Sequence, residues 1–166
     1  MLNSIKHGNV VCALVAALVL NGCAVERVLP GTLRAEVLSK YGQPAREVPL
    51  ANGASGSRLQ YSYQPSGQQA VMVDLDAAGR VVSSRQVLQR AEFARIGINQ
   101  WSRADVEREF GLSATIDRVA SWSGDIMTYR WKDASQDMYF YVYLDSANIV
   151  QRTGQGMDFR KEPPRD

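Results

Sequence analysis

The sequence predicts an α+β protein built as two tandem repeats, each a short helix (or helix pair) packed on a three- to four-stranded antiparallel sheet. Three observations carry this expectation. Four short blocks recur in the same order at nearly one spacing. Each copy opens with helical periodicity closed by glycine, then turns to alternating strand patterns joined by short turns. Ahead of both copies lies a segment with the layout of a secretion signal ending in cysteine.

The repeat is legible in the residues. Arg34-Ala35-Glu36-Val37 recurs 69 positions later as Arg103-Ala104-Asp105-Val106, and Tyr41-Gly42 recurs as Phe110-Gly111. Leu59-Gln60-Tyr61-Ser62-Tyr63 recurs 68 positions later as Met127-Thr128-Tyr129-Arg130-Trp131. Leu75-Asp76-Ala77-Ala78-Gly79 recurs as Leu144-Asp145-Ser146-Ala147-Asn148. A period of this size indicates tandem small domains rather than a solenoid.

Within each copy, Thr32 and Ser102 sit where a helix N-cap belongs, and Ser102 through Asp105 resembles a capping box with a shorter acid. Helices of about nine residues follow, with Leu33, Val37, Leu38 and Tyr41 on one face of the first. Gly42 and Gly111 supply the left-handed residue that closes a last turn, and Pro44 reinforces the stop. Arg90–Ile96 reads as an extra helix opening the second copy. Val48–Leu50 and Thr115–Ala120 are weak strand candidates, while Arg58–Gln64, Ile126–Lys132, Gln69–Leu75 and Asp137–Leu144 alternate clearly. Gly67 and Asp133-Ala134-Ser135 mark hairpins, and Ala77-Ala78-Gly79 and Ser146-Ala147-Asn148 mark turns into Arg80–Leu88 and Ile149–Thr153. Short loops imply antiparallel neighbours. A unit of about 65 residues is marginal alone, so the two halves are expected to pack together.

The start of the chain sets its expected compartment. Residues 1–9 are mostly polar with Lys6 and His7, and Val10–Leu20 is an unbroken apolar run of eleven residues. A spanning helix needs about 20, whereas a signal peptide core has this shorter length. The run ends in Leu20-Asn21-Gly22-Cys23, which resembles the lipobox of bacterial lipoproteins, with Asn21 a departure from the favoured residue. The competing readings are an ordinary secretory signal with an incidental cysteine, and a membrane anchor. The expected organisation is a lipoprotein signal at 1–22, a lipidated tether at 23–29 with lipid on Cys23, repeats at 30–90 and 91–159, and a charged tail at 160–166.

Composition narrows the chemistry. Past residue 22 the chain has 144 residues, 18 Lys+Arg against 17 Asp+Glu, no histidine, and Cys23 as its one cysteine. A near-neutral chain has no electrostatic footprint for nucleic acid. Histidine-based acid–base chemistry and Cys–His nucleophiles are excluded, and zinc or transition-metal sites lack their usual ligands. Gly53-Ala54-Ser55-Gly56 lacks the lysine and helix of a phosphate loop. Asp74 and Asp76 have calcium-loop spacing without the later acidic ligand, so a hairpin end is the better reading. No catalytic residue, metal or cofactor is expected.

The lipobox, the run from Gly31-Thr32-Leu33-Arg34-Ala35-Glu36-Val37 to Gly42-Gln43-Pro44, the aromatic strand pair and the Leu-Asp turn together resemble the SmpA/OmlA (BamE-like) lipoproteins. The resemblance spans residues 30–90 and 97–157. It implies a helix-plus-antiparallel-sheet fold, shared in tandem form by the β-lactamase-inhibitor-protein architecture, and an accessory role in the outer-membrane β-barrel assembly machine. In that class, a residue other than Asp after the cysteine, here Ala24, implies sorting to the outer membrane. The chain departs from the family in carrying two copies, and in having Ser113 where the first copy has Pro44.

Comparing the copies separates core from surface. Val71, Val73 and Leu75 match Phe140, Val142 and Leu144, and Leu59, Tyr61 and Tyr63 match Met127, Tyr129 and Trp131, so these sets are expected to be buried. On the opposite face Ala70, Met72 and Asp74, with Gln60, Ser62 and Gln64, make a smaller neutral surface in the first copy. The second copy there shows Tyr139, Tyr141 and Tyr143 beside Thr128, Arg130 and Lys132. Tyrosine and arginine are enriched at interfaces. Tyr139, Tyr141, Tyr143, Arg130 and Lys132 are therefore the candidate partner-binding residues, for envelope proteins (barrel-assembly machinery among them) or anionic lipid headgroups. The competing reading packs the tyrosines on the linker, the extra helix or the other copy. The function expected is a non-enzymatic, periplasm-facing outer-membrane lipoprotein acting as a protein-binding accessory factor. The alternative is a tethered inhibitor or sensor that binds an envelope enzyme through its sheet.

Overall fold

The computed structural model describes residues 28–159. The expected signal, Cys23 and the charged tail lie outside the described residues. The order of elements is α1 (Arg34–Tyr41), β1 (Arg46–Pro49), a 3-10 turn (Ala51–Gly53), β2 (Ser57–Ser62), β3 (Ala70–Leu75), β4 (Val81–Gln86), α2 (Arg90–Phe93), α3 (Arg103–Phe110), β5 (Thr115–Asp117), β6 (Ile126–Asp133), β7 (Gln136–Leu144) and β8 (Val150–Met157). The fold is α+β: two four-stranded antiparallel sheets, ordered β1-β2-β3-β4 and β5-β6-β7-β8, with a few short helices. No described helix is long and apolar enough to cross a membrane.

Helix boundaries follow local chemistry. Ser102 caps α3 in both directions: its hydroxyl accepts from the Asp105 N–H at 3.3 Å, and the Asp105 carboxylate accepts from the Ser102 N–H at 2.8 Å. In α1 the N-cap is Leu33 rather than Thr32. A leucine offers no acceptor, so only half of the box forms, with the Glu36 carboxylate accepting from the Leu33 N–H at 3.2 Å. Leu33 is correspondingly 42% exposed rather than on the buried face. Both helices end at a glycine of positive φ, Gly42 at 75° and Gly111 at 78°, a conformation other residues adopt at a cost. The expected helix at Arg90–Ile96 is the single turn α2, followed by a hydrogen-bonded turn.

The two halves share several local contacts. The Tyr61 hydroxyl donates to the Gly42 carbonyl at 3.1 Å, and the Tyr129 hydroxyl donates to the Gly111 carbonyl at 2.8 Å. The Asp76 carboxylate accepts from the N–H groups of Ala78 and Arg80, and Asp145 does the same for Ala147 and Ile149. A Cβ at Gly56 or Gly124 would collide with the carbonyl oxygen of Leu75 or Leu144 respectively.

Packing is layered. One apolar cluster fills the space between α1 and the first sheet, from Val37, Leu59, Tyr61, Val71, Val73, Leu75 and Val81. A second joins Ala70 and Met72 to Phe93, Val106, Phe110, Met127, Tyr129, Trp131, Phe140, Val142 and Leu144. The chain therefore stacks as α1, first sheet, α2 with α3, second sheet. This corrects one expectation: Ala70, Met72, Asp74 and Gln60 are buried, not a free surface. In sequence they read as outward, because alternation tells one face from the other but not whether a second layer covers it. Tyr63 is 53% exposed rather than core, because β2 ends at Ser62 and Tyr63 opens the hairpin, its N–H donating to the Gln69 carbonyl.

The buried joint is polar where sheet meets helix. The Arg58 guanidinium, whose side chain is 5% exposed, pairs with Asp74 at 2.5 Å and with Glu109 of α3 at 2.8 Å, and donates to the Arg108 carbonyl at 3.1 Å. Ser83 donates to Asp74 at 2.9 Å. The Gln60 amide donates to the Glu107 and Arg108 carbonyls at 2.8 and 3.0 Å, the second of which is among the acceptors that a helix end leaves open. Burial would push the Asp74 carboxyl up, but the hydrogen bonds and charge of Arg58, aided by Ser83 and Arg85, outweigh it. They hold the group below the ordinary carboxylate range.

Candidate partner-binding face

Strand period two sends Met138, Phe140, Val142 and Leu144 of β7 toward the core side and Tyr139, Tyr141 and Tyr143 the other way. The three tyrosines are half-buried. Their cross-strand neighbours on β6 are Arg130, Thr128 and Ile126, and on β8 they are Gly156, Gly154 and Arg152. The rings form a ladder with centroids 6.0 Å apart from Tyr139 to Tyr141 and 6.4 Å from Tyr141 to Tyr143. Trp122 continues it with an edge contact to Tyr143 at 5.3 Å. The Arg152 guanidinium lies 4.0 Å over Tyr143 and 5.0 Å over Trp122. The Trp122 indole donates to the Leu144 carbonyl at 2.7 Å, which holds its loop on the sheet.

The five residues singled out in the sequence are not all brought together. The tyrosines form one surface. Arg130 borders it but is committed: its guanidinium pairs with Asp158 at 3.1 Å and donates to the Pro65 and Ser66 carbonyls at 3.2 and 2.6 Å. Its backbone is also clamped by the Gln64 side chain, with contacts of 2.8 and 3.0 Å. Arg130 thus anchors the β2–β3 hairpin to the second sheet and is no free partner for a ligand. Lys132 is exposed, 3.6 Å from Asp137. It lines a different cleft of about 580 Å³ with Tyr63, Gln68 and Gln89, between the halves.

Sequence reasoning missed Trp122, Arg152 and Pro65. Gly154 and Gly156 alternate on β8 opposite the tyrosines, a pattern that signals large rings lying across a neighbouring strand. A Cβ at Gly156 would sit 3.3 Å from the Tyr141 ring, and one at Gly154 would sit 3.5 Å from the Tyr143 ring. Nothing local marks Pro65, which arrives from the first half.

Burial pushes the Tyr141 hydroxyl above its ordinary range, and Tyr143, Asp158 and Asp117 push the same way. At neutral pH it is a protonated donor. The arrangement offers stacking faces, tyrosine hydroxyls and, beside Tyr139 and Tyr141, the Asp117 carboxylate, a set suited to binding.

Comparison with known proteins adds little. No family model matches the chain, and no curated protein matches it. Among solved structures it is similar to a DUF4309 family protein (YjgB) from Bacillus subtilis subsp. subtilis str. 168, at 11% identity and a TM-score of 0.32, over 76% of this chain and 79% of that one. A likeness of that degree carries no argument about fold or function.

Proposed function

We propose that the chain is a non-enzymatic envelope lipoprotein, anchored in the outer membrane by lipid on Cys23, that binds protein partners through its tyrosine face. The observation that carries the partner-binding part is the uncovered aromatic ladder Tyr139–Tyr141–Tyr143–Trp122 with Arg152 stacked on it. Tyrosine and arginine contribute contact area together with polar handles. The anchoring part rests on the signal ending Leu20-Asn21-Gly22-Cys23. Barrel assembly or envelope integrity is the setting suggested by the resemblance to the SmpA/OmlA lipoproteins. We also infer that the two halves arose by tandem duplication. This is supported by the equal strand orders and by the paired contacts of Tyr61 with Tyr129 and of Asp76 with Asp145.

The test is capture from detergent-solubilised envelopes with the lipidated chain tagged at Asp166. Mass spectrometry would read both the captured proteins and the lipid on Cys23. Barrel-assembly subunits recovered by the parent and lost by the Tyr141→Ser/Tyr143→Ser variant are the expected result. Recovery of a single unrelated enzyme, or of nothing, removes the assembly role. An unmodified Cys23 removes the anchor.

A further inference from the structure

The tyrosine face is not uniform. At one end it drops into a cleft of about 230 Å³ between the second sheet and the hairpin of the first half, lined by Pro65, Thr115, Asp117, Thr128, Tyr139 and Tyr141. We propose that this cleft binds an extended, proline-rich peptide segment carrying a basic residue, which deepens the partner-binding reading above and rests on it. Three features select that ligand.

The floor is aromatic. The Tyr139 and Tyr141 rings stand 6.0 Å apart at an interplanar angle of only 32°. The Tyr141 ring runs along the glycines of β8, with its edge in contact range of both Gly154 and Gly156. Glycine at both positions leaves room for the Tyr141 ring beside β8, and aromatic grooves are what proline-rich segments dock against.

The wall is fixed in advance. Pro65 is held over the floor by the two Arg130 donations to the Pro65 and Ser66 carbonyls and by the paired contacts of Gln64 with the Arg130 backbone. A preformed groove and a preformed polyproline helix both reduce the ordering cost of association. Arg130 is a positioning residue in this arrangement.

The rim carries an unneutralised acid. Asp117 accepts from the Thr115 hydroxyl at 2.8 Å and from the Thr128 hydroxyl at 3.4 Å, both on one carboxylate oxygen. No cation among the described residues pairs with it, whereas Asp125, Asp133 and Asp158 each hold an arginine. A lysine or arginine on the ligand meets that charge. A polyproline backbone has no internal hydrogen bonds and leaves its carbonyls open, which suits hydroxyl donors. A sugar presents several hydroxyls that need directional acceptors, and here both threonine hydroxyls are already directed at Asp117.

The experiment is a titration of the full chain in detergent, labelled on tyrosine with ¹³C, followed by ring resonances. The probe is a blocked synthetic peptide with two proline pairs followed by two arginines. The controls are the same peptide with glycine for proline, and chitobiose. Saturable shifts at Tyr139 and Tyr141 with a dissociation constant of about 1 mM or tighter are expected. Affinity should weaken about tenfold or more for Tyr141→Ala. It should weaken about twofold to fivefold for Asp117→Asn, a rim substitution that leaves the core untouched, with salt dependence reduced. No saturable shift, an equal response to the glycine peptide, or a response to chitobiose alone overturns the inference. If the peptide fails while envelope capture through the tyrosine face persists, this inference falls and the broader reading stands. If capture is also absent, both fall.

Discussion

On β3, Ala70, Met72 and Asp74 point toward α3 and are closed off from solvent, whereas Tyr139, Tyr141 and Tyr143, 69 positions further on in β7, stay half-exposed. The strands have the same place in equally ordered sheets. The difference lies in what comes next along the chain. The first sheet is followed by α2 and α3, which lie on its far side and also serve as the inner layer of the second sheet. Among the described residues no helix or strand follows the second sheet to lie on its far side. One architecture thus yields an interior joint once and an open aromatic face once, and the side chains at the matched positions differ accordingly.

The joint should be the more sensitive region. Arg58→Ala removes the nearest cation from Asp74 and Glu109, leaving both to Arg85 at 4.0 and 3.6 Å, and should cost about 3–5 kcal/mol in urea unfolding. The pH dependence has a definite sign. The folded Asp74 carboxyl is held below its unfolded value, so its contribution is fully present above the unfolded range, near 4, and is lost as pH falls through the folded value. Stability measured from pH 7 down to pH 3 should fall, and Asp74→Asn should make that fall shallower than in the parent. A steeper or unchanged slope would contradict the assignment.

Met72→Ala comes next. It removes a fully buried side chain that touches both halves, and about 2–5 kcal/mol is expected. Smaller again is Tyr129→Phe, which leaves the buried Gly111 carbonyl without its donor, at about 1–3 kcal/mol. Its counterpart Tyr61→Phe loses a longer and less enclosed bond to Gly42, and about 0.5–1.5 kcal/mol is expected. Equal costs for the two would mean that the halves are more alike in packing than the 2.8 and 3.1 Å contacts indicate.

The alternation of β2, β3, β6 and β7 and the closing glycines 42 and 111 were legible in the sequence, because period and positive φ are local properties. The comparison of the two halves also separates the inner faces, except at Tyr63. What was not legible came from the layer between the sheets. Gln60 and Asp74 look like solvent-facing polar residues until α3 is placed on them, and Arg58 looks like an ordinary surface arginine until Glu109 arrives from 51 positions away. The candidate site divided in the same way. The tyrosines follow from alternation, but the contacts that tie up Arg130 do not, because its partners, Pro65 and Ser66, belong to a hairpin far back in the chain.

The tyrosine face is a surface and its counterpart on β3 is a core. Urea unfolding of the Tyr141→Ser/Tyr143→Ser variant puts that difference to the test. A single cooperative transition is expected, with a loss clearly smaller than that of Met72→Ala measured alongside. A loss as large as that of Met72→Ala, or a broadened transition, would mean that the tyrosines hold the fold together and that the face is core rather than surface.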